Sequence, residues 1–179
     1  MSRSSASAPD SLAARNQLDW LHLTHASTPG PLLNEWQRRA HSRLGRWLFA
    51  RSLCRRAPYL RILRPRLLEL RPALCRVALA SSKHVRSSEG TVHSAALSSL
   101  CELGAALVTE VTLPWKLYAS ARGLSIEYLQ PARSDVTATA RLDKSEWLGT
   151  ERIAVPVNLL DSDGAEVARG VVSLQVAPG

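Results

Sequence analysis

Apolar and polar positions along this chain change period more than once. From Asn34 to Arg55, Trp36, Ala40, Leu44, Trp47, Leu48 and Leu53 recur at helical spacing, with arginines on the other face. Asn34 is placed to cap this helix, and Pro58 lies just past its end. Tyr59 to Pro72 alternates loosely and holds two prolines, which predicts an irregular or edge strand. Cys75, Val77 and Leu79 alternate with Arg76 and Ala78 as a strand. After a polar loop over Ser81–Gly90, the run GTVHSAALSSLCELGAALVTEV fills residues 90–111. It reads as apolar all round, which predicts a buried helix from about Val92 to Thr112.

Four strands follow. Leu124, Ile126 and Tyr128 alternate in the first. Val136, Ala138, Ala140 and Leu142 point inward in the second, with Thr137, Thr139 and Arg141 outward. Ile153, Val155, Val157 and Leu159 make the third, where Pro156 suggests a sheet edge or bulge. Asp161-Ser162-Asp163-Gly164 is a hairpin turn leading into the fourth, Val167–Val176. The order is strand, long helix, antiparallel meander. A helix apolar on every side needs cover on every side; a strongly curved sheet supplies most of it, and a second copy of the chain the rest. Residues 1–33 form an extension, rich in Ser, Ala, Thr and Pro, with a turn at Thr28-Pro29-Gly30-Pro31. Trp20, Leu21 and Leu23 are placed to dock onto the domain, which occupies 34–179 and includes the Arg-rich leading helix over about 34–55.

Composition sharpens this picture. The 179 residues carry a net charge of +8, and 45 % are hydrophobic, as in a globular chain. The charge is regional. Twelve arginines lie between Trp36 and Arg76 against one acid, Glu69. Such a segment is either a solvated amphipathic surface or a site for an anionic partner. Nucleic acid is not the expected one, because no known module accompanies the arginines and aromatic residues are few. Cys54, Cys75 and Cys101 form no CxxC pair, so neither a zinc ribbon nor a redox motif is expected. No apolar run approaches the roughly 20 residues a membrane span needs. The N-terminus lacks the apolar core of a secretory signal. These features suit a reducing cytoplasm, with no metal or cofactor.

One acid stands out. Glu102 lies in the middle of the apolar helix, where an ionised carboxylate is costly unless something holds or uses it. His93 lies at the start of the same helix, where backbone N–H groups are free. An acid and a helix N-terminus are two parts of an acyl-transfer site. The structural alternatives are a buried acid bonded to a Ser or Arg, and a His that only caps the helix. Nine residues of helix advance about 13 Å and turn about 180°, so His93 and Glu102 cannot meet within one chain. A shared site needs two chains, with central helices antiparallel about a two-fold axis.

These motifs resemble the hotdog-fold acyl-CoA thioesterases. In the phenylacetate-type branch the loop reads N-x-x-G-x-x-H-G-G, with a carboxylate nine residues after the His. Here Ser87 to Ala95 reads SSEGTVHSA, with Glu102 at the carboxylate position. The chain is more similar still to the DUF4442 group, through its arginine-rich helix, Ala57-Pro58-Tyr59, Leu70-Arg71-Pro72, Gly90-Thr91-Val92-His93 and Glu127 to Arg133, EYLQPAR. The resemblance covers roughly residues 35–177. It implies an α+β hotdog fold, a curved antiparallel sheet wrapped around one long central helix.

It also implies hydrolysis of an acyl-CoA or related acyl thioester by a homodimer or dimer of dimers, with coenzyme A only as part of the substrate. Glu102 would be base or nucleophile, with His93 beside it. Gly90, Thr91, Ser94, Ala95, Ser98 and Ser99 would form the oxyanion and substrate-binding region. Arg133 is either a solvated strand-end charge or a ligand for the phosphates of coenzyme A, and the arginine helix could meet an acyl carrier protein. The chain departs from the branch at Ser87, Ser94 and Ala95, where it has an Asn and two glycines, and in having Glu for Asp. Loss of both glycines favours an alternative: a non-catalytic hotdog protein that binds an acyl-CoA or fatty acyl group.

Overall fold

The computed structural model describes residues 31–114 and 116–179. The expected docking of Trp20, Leu21 and Leu23 falls outside them. Pro31 opens helix α1 (Pro31–Arg39), at a position where its missing N–H leaves no bond unmade. Asn34 is therefore inside α1 and does not cap it. The single helix expected over 34–55 is two, because the chain breaks at residues 40–42 and restarts as α2 (Arg43–Arg56). Ser42, in an extended conformation, caps α2 by accepting the Gly45 N–H on its hydroxyl at 2.9 Å. The corner is tight: a Cβ on Gly45 would sit 2.1 Å from the Arg39 carbonyl oxygen.

The break resets the helical phase. Trp36 and Phe49 meet edge to face with centroids 5.2 Å apart, and Leu53 is buried below them. Leu44, Trp47 and Leu48, expected on the inner face, point outward instead. After α2 comes a single turn of helix, α3 (Leu60–Leu63), where a strand was expected. It ends at Arg64 in the left-handed region (φ 49°) before Pro65.

Six antiparallel strands make one curved, open sheet: β1 (Arg66–Arg71), β2 (Leu74–Leu79), β3 (Leu117–Tyr128), β4 (Val136–Arg141), β5 (Glu151–Leu160) and β6 (Glu166–Pro178). Their spatial order is β1-β2-β4-β5-β6-β3. The central helix α4 (Ser94–Thr112) lies between β2 and β3 in the chain and touches all six strands. This is the hotdog arrangement. The alternation expected for β4 and β5 holds, with Val136, Ala138, Ala140, Ile153, Val155, Val157 and Leu159 all buried. β1 is an edge strand, as the prolines around it suggested, and carries a bulge between Leu67 and Glu69. Pro156 is not on the sheet's edge. β5 runs inside the sheet, but its pairing with β4 covers only Val157–Leu160, so Pro156 lies just past the end of that ladder. The Asp161 carboxylate closes the last hairpin by accepting the N–H groups of Asp163 and Ala165 at 3.0 and 2.9 Å.

The helix is less uniformly buried than its composition suggests. Leu100, Leu103 and Leu107 are fully enclosed, each gaining about 1.5–3 kcal/mol from leaving water. Gly104 faces β4, where a Cβ would stand in ordinary contact with that of Ala140 at 3.4 Å. Yet Ser99, Glu102, Ala106 and Glu110 are only partly covered. At three- and four-residue intervals they form one stripe, turned from the sheet towards the N-terminal helices. Contrary to the expectation that no run could span a membrane, α4 has the length and hydropathy to do so; its burial inside the sheet makes it the core helix.

Candidate functional site

The loop before α4 is fixed by backbone bonds. Ser87 N–H donates to the Thr91 carbonyl at 2.7 Å, and the two hydroxyls are 3.0 Å apart. Gly90 makes the turn with φ +77°, a conformation other L-residues adopt at a cost. Val92 N–H donates to the Ala132 carbonyl at 2.7 Å, so the segment carrying Arg133 docks on this loop. Arg133 itself is exposed.

His93 is the N-cap of α4. Its Nδ1 accepts the Ala95 N–H at 3.1 Å, which puts the ring proton on Nε2 of the neutral imidazole. Its own N–H donates to the Val85 carbonyl at 2.8 Å. Of the three N–H groups at this tip, those of His93 and Ala95 are thus engaged within the chain. That of Ser94 has no acceptor among the described residues. Ser98 donates its hydroxyl to the Ser94 carbonyl at 3.1 Å, and the Tyr128 phenol lies 2.8 Å from the same hydroxyl. Ser99 donates to the Ala95 carbonyl at 2.8 Å.

Glu102 lies farther along the helix, half-buried, and burial holds its carboxyl above its ordinary 4.5. Tyr59, from the turn before α3, comes over it. Burial first and the Glu102 charge second raise the Tyr59 phenol, while a hydrogen bond with Ser99 works the other way. Ser99, Glu102 and Tyr59 therefore form one group at mid-helix. His93, Ser94, Ser98 and Tyr128 form another at the helix tip. Cys101, beside Glu102, is pushed up to about 12 by burial and by that carboxylate, which makes it an inert thiol.

A second acid on the stripe is the more strongly perturbed. Burial raises Glu110 from 4.5 to about 7, with Arg56 opposing. Its Oε2 is buried without a hydrogen-bond partner. Arg56 is 3.3 Å from Glu35, which also holds Arg39 at 2.8 Å. The apolar helix thus carries two acids in need of explanation, not one. The spacing of eight residues from Glu102 was the available signal for Glu110. Tyr59 and Tyr128 stood inside the quoted motifs with no role attached.

Solved structures share this architecture. A structural-genomics protein, APC5556, is 28 % identical and superposes with a TM-score of 0.73, covering 83 % of this chain and 98 % of its own. A Pseudomonas aeruginosa protein, PA5026, described as a probable thioesterase, is 20 % identical with a TM-score of 0.66, over 74 % of this chain and 95 % of that one. Thioesterase HI1161 of Haemophilus influenzae is 16 % identical with a TM-score of 0.63, over 71 % and 87 %. No protein of curated function matches. The fold is the hotdog, which these proteins share. Within it, residues 45–176 match the model of the family described as "Domain of unknown function (DUF4442)", and the chain belongs to that family.

Proposed function

We propose that this chain hydrolyses acyl thioesters, acyl-CoA first among them, as a two-fold dimer in the cytoplasm. The observation that carries the reading is the half-buried Glu102, raised above its usual range, on the part-covered stripe of the central helix in a fold that proteins named as thioesterases share. Dimerisation is supported by β3, an edge strand of 12 residues with no neighbour on one side among the described residues.

In this reading the thioester carbonyl lies between Glu102 of one protomer and the α4 tip of the other. Ser94 N–H and the positive end of the helix stabilise the oxyanion. Glu102 removes a proton from water, which attacks the carbonyl carbon, or attacks it directly and is later released by water. The thiolate leaves as the carbonyl re-forms. His93, with its proton on Nε2, is positioned to donate to the oxyanion or the departing sulfur. Gly90 and Thr91 shape the loop beneath, Ser98 and Ser99 border the two groups, and Arg133 faces the phosphates of the carrier. An acyl carrier protein is an alternative donor of the thioester.

The test is thiol release from acyl-CoA substrates of graded chain length, with Glu102→Gln beside wild type. A loss of at least about 100-fold in kcat is expected, with circular dichroism unchanged. Full activity in that variant would overturn the assignment. One observation favours a second reading, an acyl-thioester binder without turnover: the Ala95 N–H is already capped by His93, and side chains stand at Ser94 and Ala95. Saturable binding with no hydrolysis at any chain length would establish it.

A further inference from the structure

The arginine excess converges on one concave surface. α2 supplies Arg43, Arg46, Arg51 and Arg55 to a groove of about 910 Å³; the α3 side supplies Arg61, Arg64 and Arg66. None of the described residues lining it is acidic. Among the described residues, one of these seven guanidinium groups has a carboxylate partner, Arg66 with Asp135 at 2.9 Å. Unbalanced guanidinium groups are suited to phosphate oxygens, which they bind with paired N–H donors.

The groove's lining is apolar as well as basic, and further apolar side chains are exposed outside it. Trp47 lines the groove and is 56 % exposed, with the Arg51 guanidinium 5.6 Å from its ring centroid. Leu44 and Leu48, on neighbouring turns of α2, are exposed, and so is Ile62 between Arg61 and Leu63. Single exposed apolar side chains are ordinary on a monomer, but Leu44, Trp47 and Leu48, three and four residues apart on α2, form one exposed cluster. Such a cluster beside basic groups suits an anionic lipid surface, where apolar side chains enter the acyl layer below the headgroups. A soluble anion would account for the arginines but leave Leu44, Trp47 and Ile62 unexplained.

We infer that the outer face of α2, α3 and β1 docks on an anionic lipid bilayer, with headgroup phosphates in the arginine groove and Leu44, Trp47 and Ile62 in the lipid layer. This stands apart from the hydrolase reading. The test is co-sedimentation of the full chain with vesicles of phosphatidylcholine alone and with an equal share of phosphatidylglycerol. Binding is expected only to the mixed vesicles. It should fall as ionic strength rises from about 0.1 to about 1 M, where screening shortens from ~10 to ~3 Å.

The variant Arg43→Gln/Arg51→Gln/Arg55→Gln should bind about 100-fold more weakly, at about fivefold per charge. Trp47→Ser should lower affinity with the charge intact. Both are checked for unchanged circular dichroism and unchanged release of thiol from soluble acyl-CoA. Failure to sediment with the mixed vesicles overturns the inference. So does equal sedimentation of the arginine variant. Tight binding of inositol hexakisphosphate without vesicle binding would assign the groove to a soluble phosphate. Loss of self-association in Trp47→Ser would assign the face to a second copy of the chain.

Discussion

Replacing Glu110 with Gln isolates a single titration. In the folded protein this carboxyl titrates near 7, against 4.5 when unfolded, because burial opposes its charge. A folded-state value above the unfolded one means that the native protein binds the proton more tightly. Its contribution is full below about pH 4.5 and lost as the pH rises through about 7. The shift is worth about 3 kcal/mol in all, of which about 2.5 kcal/mol falls between about pH 5 and about pH 8. Gln has the same shape and no titration, and leaves the same buried oxygen unpartnered, so constant costs cancel in the comparison. The stability of Glu110→Gln relative to wild type should therefore rise by about 2.5 kcal/mol across that range. With a urea slope of about 2 kcal/mol/M, the midpoints should separate by a little over 1 M. Urea melts followed by tryptophan fluorescence measure this directly. A gap constant to within about 0.5 kcal/mol would refute the claim that the carboxyl is desolvated.

Four further outcomes are expected. Gly45→Ala should lower the melting temperature markedly, by the equivalent of about 2–3 kcal/mol, since its Cβ would meet the Arg39 carbonyl at 2.1 Å; Ser42→Ala should cost about 1 kcal/mol. In Gly90→Ala no neighbour stands within 4 Å of the added Cβ, so the loss of about 1–2 kcal/mol in thermal unfolding comes from the +77° backbone alone. If Glu102 is the base, kcat/KM should fall with one proton as pH drops, at a midpoint above 4.5 because burial raises that carboxyl; any residual rate of Glu102→Gln should lack this limb.

Strand periodicity was easily read, because β4 and β5 have one face on the core and one towards water. The long helix was equally legible. The N-terminal helices were not. Six apolar residues fitted one continuous period, and the break at Ser42 depends on Gly45 meeting the Arg39 carbonyl, a contact that spacing does not reveal. The error carried over to the surface, since Trp47 was counted as core and is exposed. At the site, Glu102 and His93 were visible as an acid and a cap in an apolar run. Tyr59 is brought over Glu102 by a chain reversal more than 40 residues away, and Tyr128 reaches Ser98 only because β3 is the sheet's far edge. Those are tertiary placements. The apolar composition of α4 also concealed its stripe, because Ala106 and Ser99 are small enough to be read as interior.

The two rims of the sheet are unequal. β1 is six residues long, bulged and set between prolines, whereas β3 offers twelve residues with only one irregularity. A strand that joins from outside will find hydrogen-bond partners along the second rim and little purchase on the first. Growth from a single rim stops after one addition, because the newcomer uses up its own good rim in joining. The same asymmetry that permits a pair thus guards the chain against polymerising into a fibre.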